Sequence, residues 1–274
     1  MQTVLFNDFY MATDHNIGGY NTTQATPTAE QLHNANNIKT FFEGEGWTLQ
    51  AICGIIANMH GESSLNPALI QATNRYRLPN SAADLSDVPN DVMKNFYKEY
   101  YGSSQRAFAI GLVQWDGKNS DNPPAQKLVG YAIRNNFIWY DGWCQLYRLR
   151  GEWQTDSQYH FFNPVTVSGV KYTFTNYVTS TASPEDLAKA WAWGYERNAG
   201  GPGLRPASAR WWYDYFSGGV PPAPIDPPDP ADPDEPYDPT NPEDPLPDAP
   251  NSINIMLLYN FRKWRKGRNV RTRF

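Results

Sequence analysis

Apolar residues at positions 49, 52, 55, 56 and 59 recur at the spacing of one helical face, through Leu49-Gln50-Ala51-Ile52-Cys53-Gly54-Ile55-Ile56-Ala57-Asn58-Met59. This predicts a core helix over 48–62. Pro67 keeps it from running far beyond Glu62, because proline lacks the amide donor and its ring clashes with the preceding turn. The same spacing predicts helices near 30–44, 91–101, 124–135, 139–150, 184–195 and 205–216, with Ser183-Pro184-Glu185-Asp186 a good helix start. Between them, residues 163–180 alternate polar and apolar like a strand, and Ser168-Gly169 suits a hairpin turn. Residues 1–33 are mixed and Thr/Asn-rich, with Val4-Leu5-Phe6 followed by Gly18-Gly19, and suggest an extended arm of no readable function. The expected fold is mainly α, a helical domain over 34–219 carrying a small β-hairpin.

Patterning of this kind stops near residue 220. From Pro221 to Pro250 the chain has 13 Pro and 9 acidic residues with no Lys or Arg, a composition that extends as a semi-rigid spacer rather than forming a core, so 220–250 is expected to be a linker. Residues 251–274 reverse the charge with Arg262, Lys263, Arg265, Lys266, Arg268, Arg271 and Arg273. Ile253, Leu257, Phe261 and Trp264 share one helical face there, which fits a basic amphipathic helix able to dock on a partner. Setting both tails aside leaves 16 of the 23 basic and 19 of the 28 acidic residues, a net charge near −3. The body is therefore no electrostatic magnet for nucleic acid.

Chemistry enters with Glu62, a carboxylate where the core helix meets solvent. Burial there disfavours the charged form, so the group could keep a proton near neutral pH and deliver it to a leaving oxygen. The structural alternative is a helix-end Glu bonded to nearby amides or an Arg. His15, His33, His60 and His160 are isolated, without His-x-His or Glu-x-x-His pairing, so a zinc peptidase lacks its ligands and no metal or other cofactor is expected. Cys53 and Cys144 read as free buried thiols, with no signature of a nucleophile and no disulfide frame. Ser63 and Ser64 fit hydrogen bonding at the helix end better than attack on a carbonyl. The start of the chain shows no basic and apolar leader pattern, and no run approaches the roughly 20 apolar residues of a membrane span, which fits synthesis in a reducing cytoplasm. The 10 Trp, 17 Tyr and 13 Phe supply many stacking faces, suited to a sugar cleft and equally to a core.

Three motifs follow one another in order. They are Glu62-Ser63-Ser64-Leu65-Asn66-Pro67, then Gly111-Leu112-Val113-Gln114 running on into Trp115-Asp116, then Asn198-Ala199-Gly200 preceded by Tyr195-Glu196-Arg197. Together they resemble the lytic transglycosylase and goose-type lysozyme superfamily, and over residues 34–216 the chain is most similar to phage tail lysozyme domains. That resemblance implies an α+β lysozyme-like fold, a phage-tail location and a glycosidase acting on bacterial peptidoglycan, with Glu62 as proton donor. A second carboxylate is less marked: transglycosylase-like sites resemble a single-acid arrangement assisted by the substrate's acetamido group, while for a water-orienting base Asp116, beside Trp115, is the best candidate, with Glu196 next and Glu99 and Asp121 also open. Gln114 would hydrogen-bond sugar amides, Trp115 and Tyr195 would stack on sugars or shape the cleft, and Glu196 and Asn198 would line the substrate site. For Glu196 the neighbouring Arg197 suggests an ion pair instead. The third motif departs from the pattern, because Arg197 stands where an aromatic residue directly precedes Asn-Ala-Gly, leaving hydrolysis and transglycosylation both open. Residues 251–274 would tie the enzyme to other tail proteins, with nucleic acid or membrane as other possible contacts. The competing class is a structural or glycan-binding tail component that keeps the fold without turnover.

Overall fold

The computed structural model describes residues 3–12, 27–70, 88–99, 109–116, 124–155, 159–198 and 201–218. The acidic linker, the basic C-terminal segment and Asp121 lie outside them, as does the side chain of Glu99. The described chain is mainly helical, with two small antiparallel hairpins. In chain order the elements are β1 (Thr3–Phe6), β2 (Phe9–Ala12), α1 (Ala29–Gly44), α2 (Leu49–Ser63), α3 (Asn90–Glu99), α4 (Pro124–Arg134) and α5 (Gly142–Arg150), then β3 (Val165–Val167), β4 (Val170–Tyr172), α6 (Phe174–Val178), α7 (Pro184–Gly194) and α8 (Arg205–Phe216).

α2 is the central helix. Thr48 caps it by accepting the amide of Ala51, and Ile52, Ile55, Ile56 and Met59 are wholly buried. Burying each such side chain stabilises by about 1.5–3 kcal/mol, against tenths of a kcal/mol for helix propensity, so packing decides this helix. It packs against α7 and α8, which also pack on each other. Gly54 faces both α6 and α7: an added Cβ would lie 2.8 Å from Tyr177 Oη of α6 and 3.1 Å from the Ala188 amide nitrogen of α7.

The arm expected at the N-terminus contains a hairpin. Asn7 and Asp8 both take positive φ, 45° and 65°, the combination of a type I′ turn, and β1 pairs with β2 from Thr3↔Ala12 to Phe6↔Phe9. Phe9 and Met11 are wholly buried, and the Phe9 ring occupies the space beside Gly142, where a Cβ would meet it at 2.4 Å. Asn34 of α1 holds this hairpin, accepting from the Tyr10 amide at 2.8 Å and donating to Tyr10 O at 2.8 Å and Leu65 O at 3.0 Å.

Two further expectations change. The alternating stretch 163–180 is strand only over 165–172, turning at Ser168-Gly169, and its remainder coils into α6 under a capping box between Thr173 and Asn176. The helix expected from 139 begins at Gly142, because Asp141 caps it by accepting the Cys144 amide at 3.2 Å.

Candidate active site

α2 ends in a sharp reversal that places Glu62 at its rim. Ser64 and Leu65 both adopt left-handed backbone, φ 55° and 61°, a conformation that costs a side-chain-bearing residue energy and survives only when its surroundings fix it. Three contacts fix it here. Leu65 is buried with its carbonyl taken by Asn34, Asn66 turns back to accept the Ala68 amide at 3.0 Å, and Ser63 Oγ donates to Met59 O and Leu112 O. The last bond ties the end of α2 to the Gly111–Asp116 turn.

On the other side of this rim lies α8. Its first residue, Arg205, lays its guanidinium over Gly61, and Nη2 hydrogen-bonds Glu62 Oε1. The same nitrogen lies 3.3 Å from Glu196 Oε2, so one cation contacts two carboxylates. All three side chains are largely buried, with exposures of 11 % for Arg205, 14 % for Glu62 and 7 % for Glu196. Burial, the largest influence, raises Glu62 above the usual carboxylate range, and the charge and hydrogen bond of Arg205 oppose it. Glu196 is raised by burial and further by the negative charge of Glu62, again against Arg205. The cluster therefore favours a retained proton at neutral pH.

A second polar network lies behind the first. Trp115 Nε1 donates to Tyr195 Oη at 2.9 Å, and Tyr195 Oη lies 3.3 Å from Glu152 Oε1. Arg148, 4.0 Å from the same carboxylate oxygen, also lies 5.3 Å from the centre of the Trp115 ring. Burial pushes Glu152 up to about 8, although Arg148, Tyr195 and Lys127 pull it down. His160 bonds Tyr195 O at 2.9 Å and is pushed down to about 4, mainly by burial.

The structure sorts the residues singled out in the sequence. Glu62 and Glu196 come together. The ion-pair partner of Glu196 is Arg205 rather than Arg197, whose φ is 55° and whose Nη2 donates to Phe161 O at 3.4 Å. Trp115 and Tyr195 are each 2 % exposed, which leaves neither ring a face for a sugar; of their two expected roles the geometry supports the cleft wall. Gln114 spends its amide on the backbone, donating to Gly111 O at 2.9 Å and Leu69 O at 3.3 Å, and so shapes the turn. Asp116 is half-buried at the end of that turn; its backbone oxygen accepts from Ala125 at 3.0 Å, and its charge acts on the phenol of Tyr97 in α3. Asn198 is half-buried, with its amide bonded to Ala192 O at 3.0 Å. Cys53 and Cys144 are free and buried, and burial drives both thiols up, away from the thiolate a cysteine nucleophile needs. Arg205 was not among the expected site residues. Its only signal is its place at the start of a helix that packs on α2.

The family model for phage tail lysozyme matches residues 33–216, the span that contains α2, the Gly111–Asp116 turn, α7 and α8. Morphogenesis protein 1 of Bacillus phage B103 is 27 % identical over 190 residues, 69 % of this chain and 40 % of that protein. The chain thus spans less than half of that relative's length. With the family match covering most of the described domain, the chain belongs to the phage tail lysozyme family.

Proposed function

We propose that the chain is a peptidoglycan glycosidase of a phage tail, which cuts glycan strands with Glu62 as the general acid and so aids cell-wall penetration during DNA entry. The observation that carries this reading is a carboxylate at the rim of the core helix whose burial favours the protonated form, in a lysozyme-family chain. In this role Glu62 gives its proton to the glycosidic oxygen between alternating amino sugars. Glu196 is too buried to reach a substrate. Asp116, half-buried on the turn that Ser63 anchors to α2, is the proposed water-orienting base. Two outcomes of the chemistry are open: a base-assisted attack by water, or a single-acid reaction assisted by the substrate's acetamido group. Digesting purified peptidoglycan tests the reading. Reducing ends in the products mark hydrolysis, anhydro-sugars mark transglycosylation, and intact strands contradict the proposal.

Residues 251–274, with seven cations beside an apolar stripe, are proposed to dock the enzyme on other tail proteins. Deleting them should leave wall digestion intact and remove the protein from assembled particles; normal incorporation of the truncated chain contradicts docking. A non-catalytic structural role is the second reading, and the name of the similar protein, a morphogenesis protein, favours it. Digestion by the wild type decides between the two.

A further inference from the structure

We infer that Arg197 anchors an anion subsite, which takes a carboxylate of the peptide stems carried by the glycan strand. This rests on the glycosidase reading and names a further part of its substrate. Arg197 is exposed, with left-handed backbone at φ 55°, inside the reversal after α7 that Asn198 closes by donating its amide to Ala192 O at 3.0 Å. Glycine suits that conformation and an arginine is strained in it, so the local backbone does not explain the residue. Nor does packing, since the side chain makes one hydrogen bond at the surface, from Nη2 to Phe161 O at 3.4 Å.

The surroundings of Arg197 are positive. Lys127 of α4 donates Nζ to Tyr159 O at 3.0 Å, two residues before Phe161, so the two cations are anchored on backbone positions no more than about 7 Å apart. Their charges act on each other: burial comes first in lowering the Lys127 ammonium, then the charge of Arg148, and Arg197 adds to it, with Glu152 opposing. His160, between the two anchoring residues, bonds Tyr195 O and is pushed down to about 4, mainly by burial, so it is neutral. Among the described residues no carboxylate forms an ion pair with Arg197 or Lys127, because Glu196 turns to Arg205 and Glu152 belongs to the network around Tyr195. Phe161, 38 % exposed, adds an uncovered ring beside the guanidinium, unlike the buried rings of Trp115 and Tyr195.

Two neighbouring cations with no ion-pair partner in the described fold favour an anion, and a planar guanidinium matches both oxygens of a carboxylate. N-acetylated sugars carry no charge, so the carboxylates of a peptidoglycan strand are those of its peptide stems. Arg197 directly follows Glu196, whose carboxylate shares Arg205 with Glu62. A strand seated at Glu62 therefore brings its stems past this cation.

Arginine side-chain NMR of the full chain reads the site directly, with the Arg197 Nε–Hε signal assigned by its loss in Arg197→Gly, a substitution that the left-handed backbone accommodates. Adding a soluble disaccharide-tetrapeptide should shift that signal, and the same fragment with its carboxyl groups converted to amides should not. No shift, an equal shift with the amidated fragment, or an equal shift with inorganic phosphate overturns the inference. Turnover supplies a second readout. On peptidoglycan freed of phosphate polymers, Arg197→Gly should raise KM about fivefold, with the effect in KM rather than kcat, and the difference should vanish once the stems are amidated. An unchanged KM, or the same rise on both substrates, contradicts the subsite. If the wild type digests no wall, the glycosidase reading fails, while the NMR titration still decides whether Arg197 binds the stem.

Discussion

A buried hydroxyl at Tyr195 connects two parts of the site at the scale of single residues. It accepts from Trp115 and lies within reach of Glu152, so Tyr195→Phe leaves the buried indole N–H without its acceptor. Losing such a partner costs about 1–3 kcal/mol, and the melting temperature should fall accordingly; an unchanged melting curve contradicts this account of the network. Asp116→Asn should behave differently, slowing turnover while the domain melts normally. Lower stability with normal specific activity would make Asp116 a structural cap. Glu62 was legible in the sequence because its helix, its neighbours and Pro67 are local. Arg205 was not, because it stands 143 residues away and nothing local announces which carboxylate a helix-start arginine will meet. For Trp115 and Tyr195 stacking on sugars and shaping the cleft both stayed open for a related reason: an aromatic residue beside a motif reads the same whether its ring faces solvent or core, and only the packing of α5 and α7 decides.

Among the elements, close helix packing carries the site. Gly54 lets α2 approach α7, and in Gly54→Ala the new methyl meets backbone of α7, which cannot move aside as a side chain can. A loss of about 1–3 kcal/mol in chemical denaturation is expected, and a variant as stable as wild type would contradict this packing. Helices were legible where caps and apolar spacing agree, as for α2 and α7. Alternation misled over 174–178, where Phe, Tyr and Val carry strand propensity but the Thr173–Asn176 capping box and packing against α2 prevail. The N-terminal hairpin was hidden by its shortness. Its signals are the turn pair Asn7-Asp8 and an alternation whose apolar side shows itself only once Phe9 and Met11 find α1 and α5. Since Asn34 joins that hairpin to the residue three places after Glu62, an arm with no readable function helps hold the rim of the site.

For the whole molecule the buried ionisable groups set a pH dependence whose sign can be worked out. Glu152 is raised from 4.5 to about 8, so the folded chain binds more protons than the unfolded chain between those values and stability falls as pH rises. Glu196 acts in the same direction. His60 and His160 are lowered from 6.5 to about 4, so the unfolded chain binds more protons between those values and stability rises with pH. The two effects oppose each other up to about 6.5. Above it the unfolded histidines lose their remaining protons and the acids dominate, so the melting temperature should fall from pH 6.5 to 8, less steeply in Glu152→Gln. A flat or rising curve over that interval contradicts the burial of these acids.

The central claim is that Glu62 delivers the proton that breaks the glycan strand. Its most direct test compares peptidoglycan clearing by the wild type and by Glu62→Gln, which keeps the side chain's size and removes the transferable proton. With an unchanged melting temperature, the variant should lose activity by a factor on the order of 10²–10⁴. Clearing at the wild-type rate would contradict the assignment.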